Sequence, residues 1–130
     1  MASATREPAD LSTHQCVRDR NFRRGARWPF VDGEEQVDID IDGRLILNGI
    51  MASHRATLAG AGIGLLAAYM VEDDLAAGRL VRVLDAYPSL ALPISAVYPH
   101  RRHLAAKVQA FVDFLATRTT RSGFAARRHL

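Results

Sequence analysis

Residues 37–60 read VDIDIDGRLILNGIMASHRATLAG, and they hold the change of period that decides the fold class. Val37, Ile39 and Ile41 alternate with Asp38, Asp40 and Asp42, the period of two of a strand with one dry face and one wet face. Asp42-Gly43 then offers a tight hairpin turn, because both residue types tolerate positive φ, so Arg44–Leu47 is expected to return as the partner strand. Asn48 stands where a helix N-cap is wanted, since its side-chain oxygen can accept from a free amide of the first turn. The helix is expected from about Ile50 to Ala59, with Gly60 ending it in the left-handed conformation. Strand and helix in direct succession point to an α/β fold.

The flanks continue the alternation. Upstream, Pro8–Leu11 reads as a short helical turn, Gln15–Arg20 as a strand, and the basic, glycine-containing Asn21–Arg27 as a loop. Downstream, Ile63–Leu66 is apolar and short enough for a buried strand, and Val71–Ala77 is a second helix stopped by Gly78. Leu80, Val81, Val83 and Leu84 predict a further strand, and Pro93–Tyr98 another. Leu104, Val108, Phe111, Val112 and Leu115 then recur at helical spacing, with Lys107, Gln109 and Asp113 off the stripe. Residues 1–7 read as an N-terminal tail and residues 118–130 as a basic tail expected to be disordered.

At 130 residues, 48% hydrophobic and 24% charged, the composition is that of one globular domain with enough apolar side chains for a core. The net charge of +3 is unevenly spread: Arg18, Arg20, Arg23, Arg24 and Arg27 crowd one segment, and Arg118, Arg121, Arg127 and Arg128 the end. No zinc-finger spacing or aromatic interleaving accompanies either cluster, so solvated loops are preferred to a nucleic-acid surface. One cysteine, Cys16, excludes an internal disulfide and fits a reducing cytoplasm. The first residues have no apolar stretch of signal-peptide type, and the run Ala56–Val71 is too short for a membrane span.

Motifs of reactive residues are thin. Asp38, Asp40, Asp42 and Gly43 match the opening of a calcium loop, but the twelfth position holds Gly49 in place of a bidentate glutamate, so the solvent face of a strand is the better reading. Gly60, Gly62 and Gly64 look like a phosphate-binding loop in the wrong order, helix before strand, and fit a helix end with close packing instead. His14 with Cys16, and His100 with His103, lack a supporting second pair of metal ligands. No nucleophile–base arrangement or carboxylate pair stands out. The sequence asks for no metal, no cofactor and no catalytic role.

Six stretches in order carry a family resemblance: PADL at 8–11 with HQCVR at 14–18, WPF at 28–30, GRL at 43–45 followed by Asn48, LAGAGI at 58–63, DDLAAGRLVRVL at 73–84, and VYP at 97–99 with RR at 101–102, KV at 107–108 and FVDFL at 111–115. Together they resemble the effector domain of LysR-type transcriptional regulators, over roughly residues 6 to 117. One departure is Ala67-Ala68, where the family usually has a proline and a polar residue.

The resemblance implies a fragment of a type 2 periplasmic-binding-protein-like domain, namely its second lobe (with the C-terminal helix of the first), over residues 8–117. It implies that the winged helix-turn-helix of full-length, DNA-binding relatives is missing, so that this chain senses a small-molecule effector in the cytoplasm without contacting DNA or membrane. By the same resemblance the effector site falls on Arg18, Arg20, Asn21 and Phe22 after the first strand and on Asn48 and Gly49 before the helix. Arginine donors and the free amides of a helix start suit a carboxylate. An apolar last helix without its first-lobe partner implies self-association. Two alternatives stand beside this reading: a decayed or truncated reading frame without independent activity, and a solute-binding protein of the same fold.

Overall fold

The computed structural model describes residues 5–89, 91, 97 and 105–121. A 3-10 turn, Pro8–Thr13, leads into β1 (Cys16–Asp19). β2 (Arg27–Asp32) and β3 (Glu35–Asp40) follow, then β4 (Leu45–Leu47), α1 (Ile50–Leu58), β5 (Ile63–Gly64) and α2 (Ala68–Ala76). The chain divides into two compact units, Met1–Ala91 and Leu92–Leu130, and α3 (Ala106–Arg121) is the described helix of the second. The fold is mixed α/β. Among the described residues no helix is long and apolar enough to cross a membrane.

The alternating stretch is a strand, as its period requires: Ile41 is buried, Val37 and Ile39 are half-buried, and Asp38 and Asp40 face water. Its partner is not the one the Asp42-Gly43 signal implies. β3 pairs antiparallel with β2 through a two-residue turn at Gly33-Glu34, in the register Asp32↔Glu35 and Phe30↔Val37. Gly33, at φ +62°, takes the first central position that such turns reserve for glycine. Gly43 serves a different purpose. A Cβ there would press on the Cys16 carbonyl and lie 2.8 Å from Arg18 Cγ, so glycine lets the chain cross close beneath β1. β4 then pairs parallel with β1, Val17 opposite Leu45 and Asp19 opposite Leu47. β5 takes the other edge of β1, giving a parallel sheet in the order β4-β1-β5.

The core lies between the 3-10 turn, β1 and the hairpin, and consists of Leu11, Cys16, Trp28, Phe30, Ile41 and Leu84. Cys16 is fully buried and burial pushes its thiol up to about 11, so it packs as a small apolar residue and carries no thiolate. On the wet face of the hairpin Arg24 and Arg27 hold Asp38 and Asp40 at 2.8 and 3.1 Å, which absorbs two arginines of the basic segment and two of the calcium-loop carboxylates.

Both helices of the first unit end in the same way. The amide of Gly60 donates to Thr57 and that of Ala61 to Ala56; the amide of Gly78 donates to Leu75 and that of Arg79 to Asp74. The second cap accounts for the strand expected over Leu80–Leu84, which does not form. The amides of Arg79 and Leu80 are both spent on the Asp74 carbonyl, and Leu84 turns the chain at φ +61° with its side chain in the core. Val81 and Val83 are left exposed. The strand expected over Pro93–Tyr98 lies outside the described residues save for Val97, as do His100, His103 and Leu104. The last helix runs through Arg121, four residues into the expected tail.

A buried polar knot ties α1 to the end of α2. The Asp74 carboxylate, nearly enclosed, accepts from Arg79 Nε at 2.7 Å and from His54 Nε2 at 2.6 Å. The Arg79 hydrogen bond first, then that of His54, holds this carboxyl below its ordinary 3.8. A carboxyl lowered on folding contributes stability that is complete above its unfolded value and is lost as pH falls through the folded one. Asp74→Asn is therefore expected to lower the melting temperature at neutral pH, with the gap to the parent narrowing below about pH 4. Melting curves that run parallel across that range would show that the knot carries no linked stability.

Candidate functional site

β1 and β4 are parallel neighbours, so their carboxyl ends open at the same edge of the sheet, the place where open α/β sheets bind ligands. The pairing reaches one residue past the strands, with the Arg20 amide donating to the Leu47 carbonyl at 2.8 Å. β1 then leaves through a turn closed by Phe22 N–H on the Asp19 carbonyl, while β4 runs through Asn48 and Gly49 into α1.

Side chains lace the two exits together. Asp19 Oδ1 accepts the Asn21 amide at 2.9 Å and the Gly49 amide at 3.1 Å. Asn21 Nδ2 donates to Asn48 Oδ1 at 3.0 Å. Three of the six residues expected at an effector site, Asn21, Asn48 and Gly49, thus come together across up to 28 positions of sequence, and Arg20 joins them only through its backbone amide on Leu47.

The other two sit differently. Arg18 lies within β1 on the face opposite Asp19, its stem against Gly43, and its Nε is buried without a hydrogen-bond partner. Phe22 is half-buried against the hydrophobic core. Asn48 is not the N-cap. That position belongs to Gly49, at φ +112°, which has no side chain with which to cap the first turn of α1. The reason is competition: the Asn48 oxygen is engaged by Asn21, and Asp19 supplies the carboxylate at this helix start. Among the described residues a cavity of about 170 Å³ lies elsewhere, between the 3-10 turn and the hairpin, lined by Glu7, Pro8, Asp32, Val37, Ile39 and Tyr87 among others.

Asp19 is the residue that sequence reasoning missed. The signal was Asp-x-Asn directly after a strand, where a carboxylate accepts from the amide two residues on and closes an Asx turn. The polar groups gathered at this edge are amide donors, a carboxylate and an amide oxygen as acceptors, and the positive end of α1.

Residues 2–120 match the model of the LysR substrate binding domain. The HTH-type transcriptional regulator PtxR of Pseudomonas aeruginosa is 32% identical over 121 residues, which cover 91% of this chain and 38% of PtxR. YagP of Escherichia coli K12, named for a LysR family substrate binding domain, is 28% identical over 106 residues, 80% of this chain and 78% of YagP. Among solved structures, the regulatory domain of AphB from Vibrio vulnificus superposes with a TM-score of 0.66 at 25% identity, over 90% of this chain and 58% of that one. The chain thus spans well under half the length of PtxR and somewhat more than half of the AphB domain.

Proposed function

The chain belongs to the family of LysR substrate binding domains, and from that membership we propose that it is the effector-sensing part of a LysR-type bacterial transcriptional regulator, working in the cytoplasm and without catalytic activity. Residues up to Ala91 form the second lobe of a type 2 periplasmic-binding-protein-like domain, and α3 is the helix that returns to the first lobe. The division of the chain into two compact units at that point supports this assignment. DNA is read by other parts of such regulators, and this segment makes no contact with it.

One observation supports the binding reading: the in-register ends of β1 and β4 bring Asn21, Asn48 and Gly49 together at the start of α1, with the Arg20 amide bonded to Leu47 beside them. A small carboxylate held there meets the exposed Arg20 guanidinium, whose forked donors match its two oxygens. An effector acts by binding one arrangement of the lobes more tightly than the other, and shifts the population by that difference alone. One lobe supplies half the contacts, so affinity for this segment is expected in the millimolar range, about 4 kcal/mol. Titrating small aromatic and aliphatic carboxylates should move the amide resonances of Asn21, Asn48 and Gly49 together. Arg20→Gln, an exposed substitution with little effect on folding, should weaken that binding about tenfold, or 1.4 kcal/mol. Shifts confined to other residues would refute the site.

Self-association follows from α3. Phe111 and Phe114 are 61% and 57% exposed on it, beside the half-buried Val108, Val112 and Leu115. A stripe of this kind in water favours a second apolar surface. Sedimentation should show concentration-dependent dimers that Phe111→Ser with Phe114→Ser abolishes. A parent chain that stays monomeric at every concentration would rule the stripe out as an interface.

A further inference from the structure

Asn48 is followed by glycine, and Asn21, the chain's other asparagine, is not. Asparagine before glycine is the pair whose backbone closes most readily on its own side chain, because glycine leaves the attacking nitrogen unshielded. Asn48 is exposed and lies between β4 and α1, so neither burial nor a strand ladder protects it. What stands against the reaction is a pair of hydrogen bonds. The Gly49 N–H, whose proton must leave before its nitrogen can attack, is held on Asp19 Oδ1 at 3.1 Å. The Asn48 carboxamide, whose carbon is attacked, is tied through Oδ1 to Asn21 Nδ2 at 3.0 Å.

We infer that Asn48 is a site of spontaneous deamidation, and that Asp19 and Asn21 set its rate by occupying the two groups that react. The Gly49 nitrogen gives its proton to solvent base and forms a bond to Asn48 Cγ. The Cγ–Nδ2 bond breaks, and ammonia leaves with a proton returned from solvent, closing a five-membered imide. Water then opens the ring. Attack at Cγ gives aspartate; attack at the backbone carbonyl gives isoaspartate, with the chain rerouted through the former side chain. Asp19 opposes the first step twice: it accepts from the N–H that must ionise, and its negative charge disfavours an amide anion beside it. Asn21 opposes the second, since ring closure turns the carboxamide out of the orientation that its bond holds. Isoaspartate lengthens the backbone by one carbon where β4 passes into α1, which undoes the placement of the Gly49 amide on Asp19. None of this needs a ligand at that edge of the sheet.

Trypsin cuts after Arg44 and Arg55 and releases residues 45–55, in which Asn48 is the one asparagine. The reaction is therefore read as a unit gain in mass and as the isoaspartate isomer of that peptide. The full chain, Asp19→Ala, Asn21→Ala and Gly60→Ala are aged in mildly alkaline buffer beside the free peptide of the same sequence, which sets the unprotected rate. Far-ultraviolet dichroism checks that each variant is folded. The parent is expected to react at least tenfold more slowly than the peptide. Asp19→Ala should recover about tenfold, the factor of one charge-assisted hydrogen bond, and Asn21→Ala a smaller part. Gly60→Ala disturbs the far end of α1 and leaves both contacts in place, so it should stay at the parent's rate. A parent that ages as fast as the peptide would overturn the protection. Asp19→Ala and Asn21→Ala at the parent's rate, or Gly60→Ala matching Asp19→Ala, would assign the protection to the fold as a whole and overturn the part given to the two contacts. Asp19→Ala slower than the parent would make Asp19 the base that drives the reaction, the reverse of the role inferred.

Discussion

Trp28→Ala is expected to lower the unfolding free energy by about 4 kcal/mol. Trp28 is 3% exposed on β2 and joins the hairpin to the 3-10 turn, β1 and the Leu84 turn through the one apolar core they share. Removing its ring deletes contacts to each of these and enlarges a partly open pocket of about 80 Å³ that Trp28 lines with Leu11, Phe30, Ile63 and Leu65 among others. Loss of the ring's buried apolar area and contacts puts the cost within the range for aromatic truncation in a core. Because Trp28 is the only tryptophan, unfolding in urea has to be followed by far-ultraviolet dichroism. Trp28→Phe, which keeps most of the apolar volume, should lose less than half as much. A loss under about 1 kcal/mol for the alanine variant would mean that the hairpin is not anchored on this core.

The period of a strand or helix is written locally, and those parts of the fold were legible. The alternation at 37–41, the glycine stops at Gly60 and Gly78, and the apolar stripe of the last helix from Val108 to Leu115 all appear where the sequence puts them. Pairing is not local. Asp42-Gly43 carries the residues of a hairpin turn, but what fixes Gly43 is the Cys16 carbonyl, with the stem of Arg18 beside it, neighbours in space that no window of sequence contains. The true hairpin, at Gly33-Glu34, is flanked on one side by a strand holding Pro29, a residue that weakens the strand signal. Leu80–Leu84 has strand composition, yet its first amides are used by the cap of α2 before any ladder can claim them. The candidate site shares this divide. Asn21, Asn48 and Gly49 follow from the resemblance, but they meet only because β4 lies parallel to β1, which a hairpin at Asp42-Gly43 would have denied it. Asp19 falls inside the strand expected over Gln15–Arg20, with no role of its own there. Its role depends on Gly49, and nothing in the local sequence pairs the two.

The same distinction between local conformation and distant neighbour gives the second large effect, at Gly62. Gly60→Ala and Gly62→Ala both force alanine into a φ that L residues rarely adopt, +80° and +146°. At Gly60 the added Cβ meets nothing within 4 Å, so the cost is conformational only, about 1 kcal/mol. At Gly62 it would collide with the Gln15 carbonyl oxygen and come within 2.9 Å of its carbon. Both are backbone atoms that cannot swing aside as a side chain can. That carbonyl also accepts the Ile63 amide at 2.9 Å, the hydrogen bond that begins the pairing of β5 with β1. Relieving the clash therefore means parting the sheet at this edge, and strain and crowding together should cost about 4 kcal/mol. The damage should stay on the β5 side. β4 holds β1 from the opposite edge, so in whatever fraction remains folded the Gly49 and Asn21 amides should keep their positions. Equal losses for the two alanine variants in thermal melts would mean that the Gln15 carbonyl yields freely and that the tight crossing at Gly62 does not constrain the sheet.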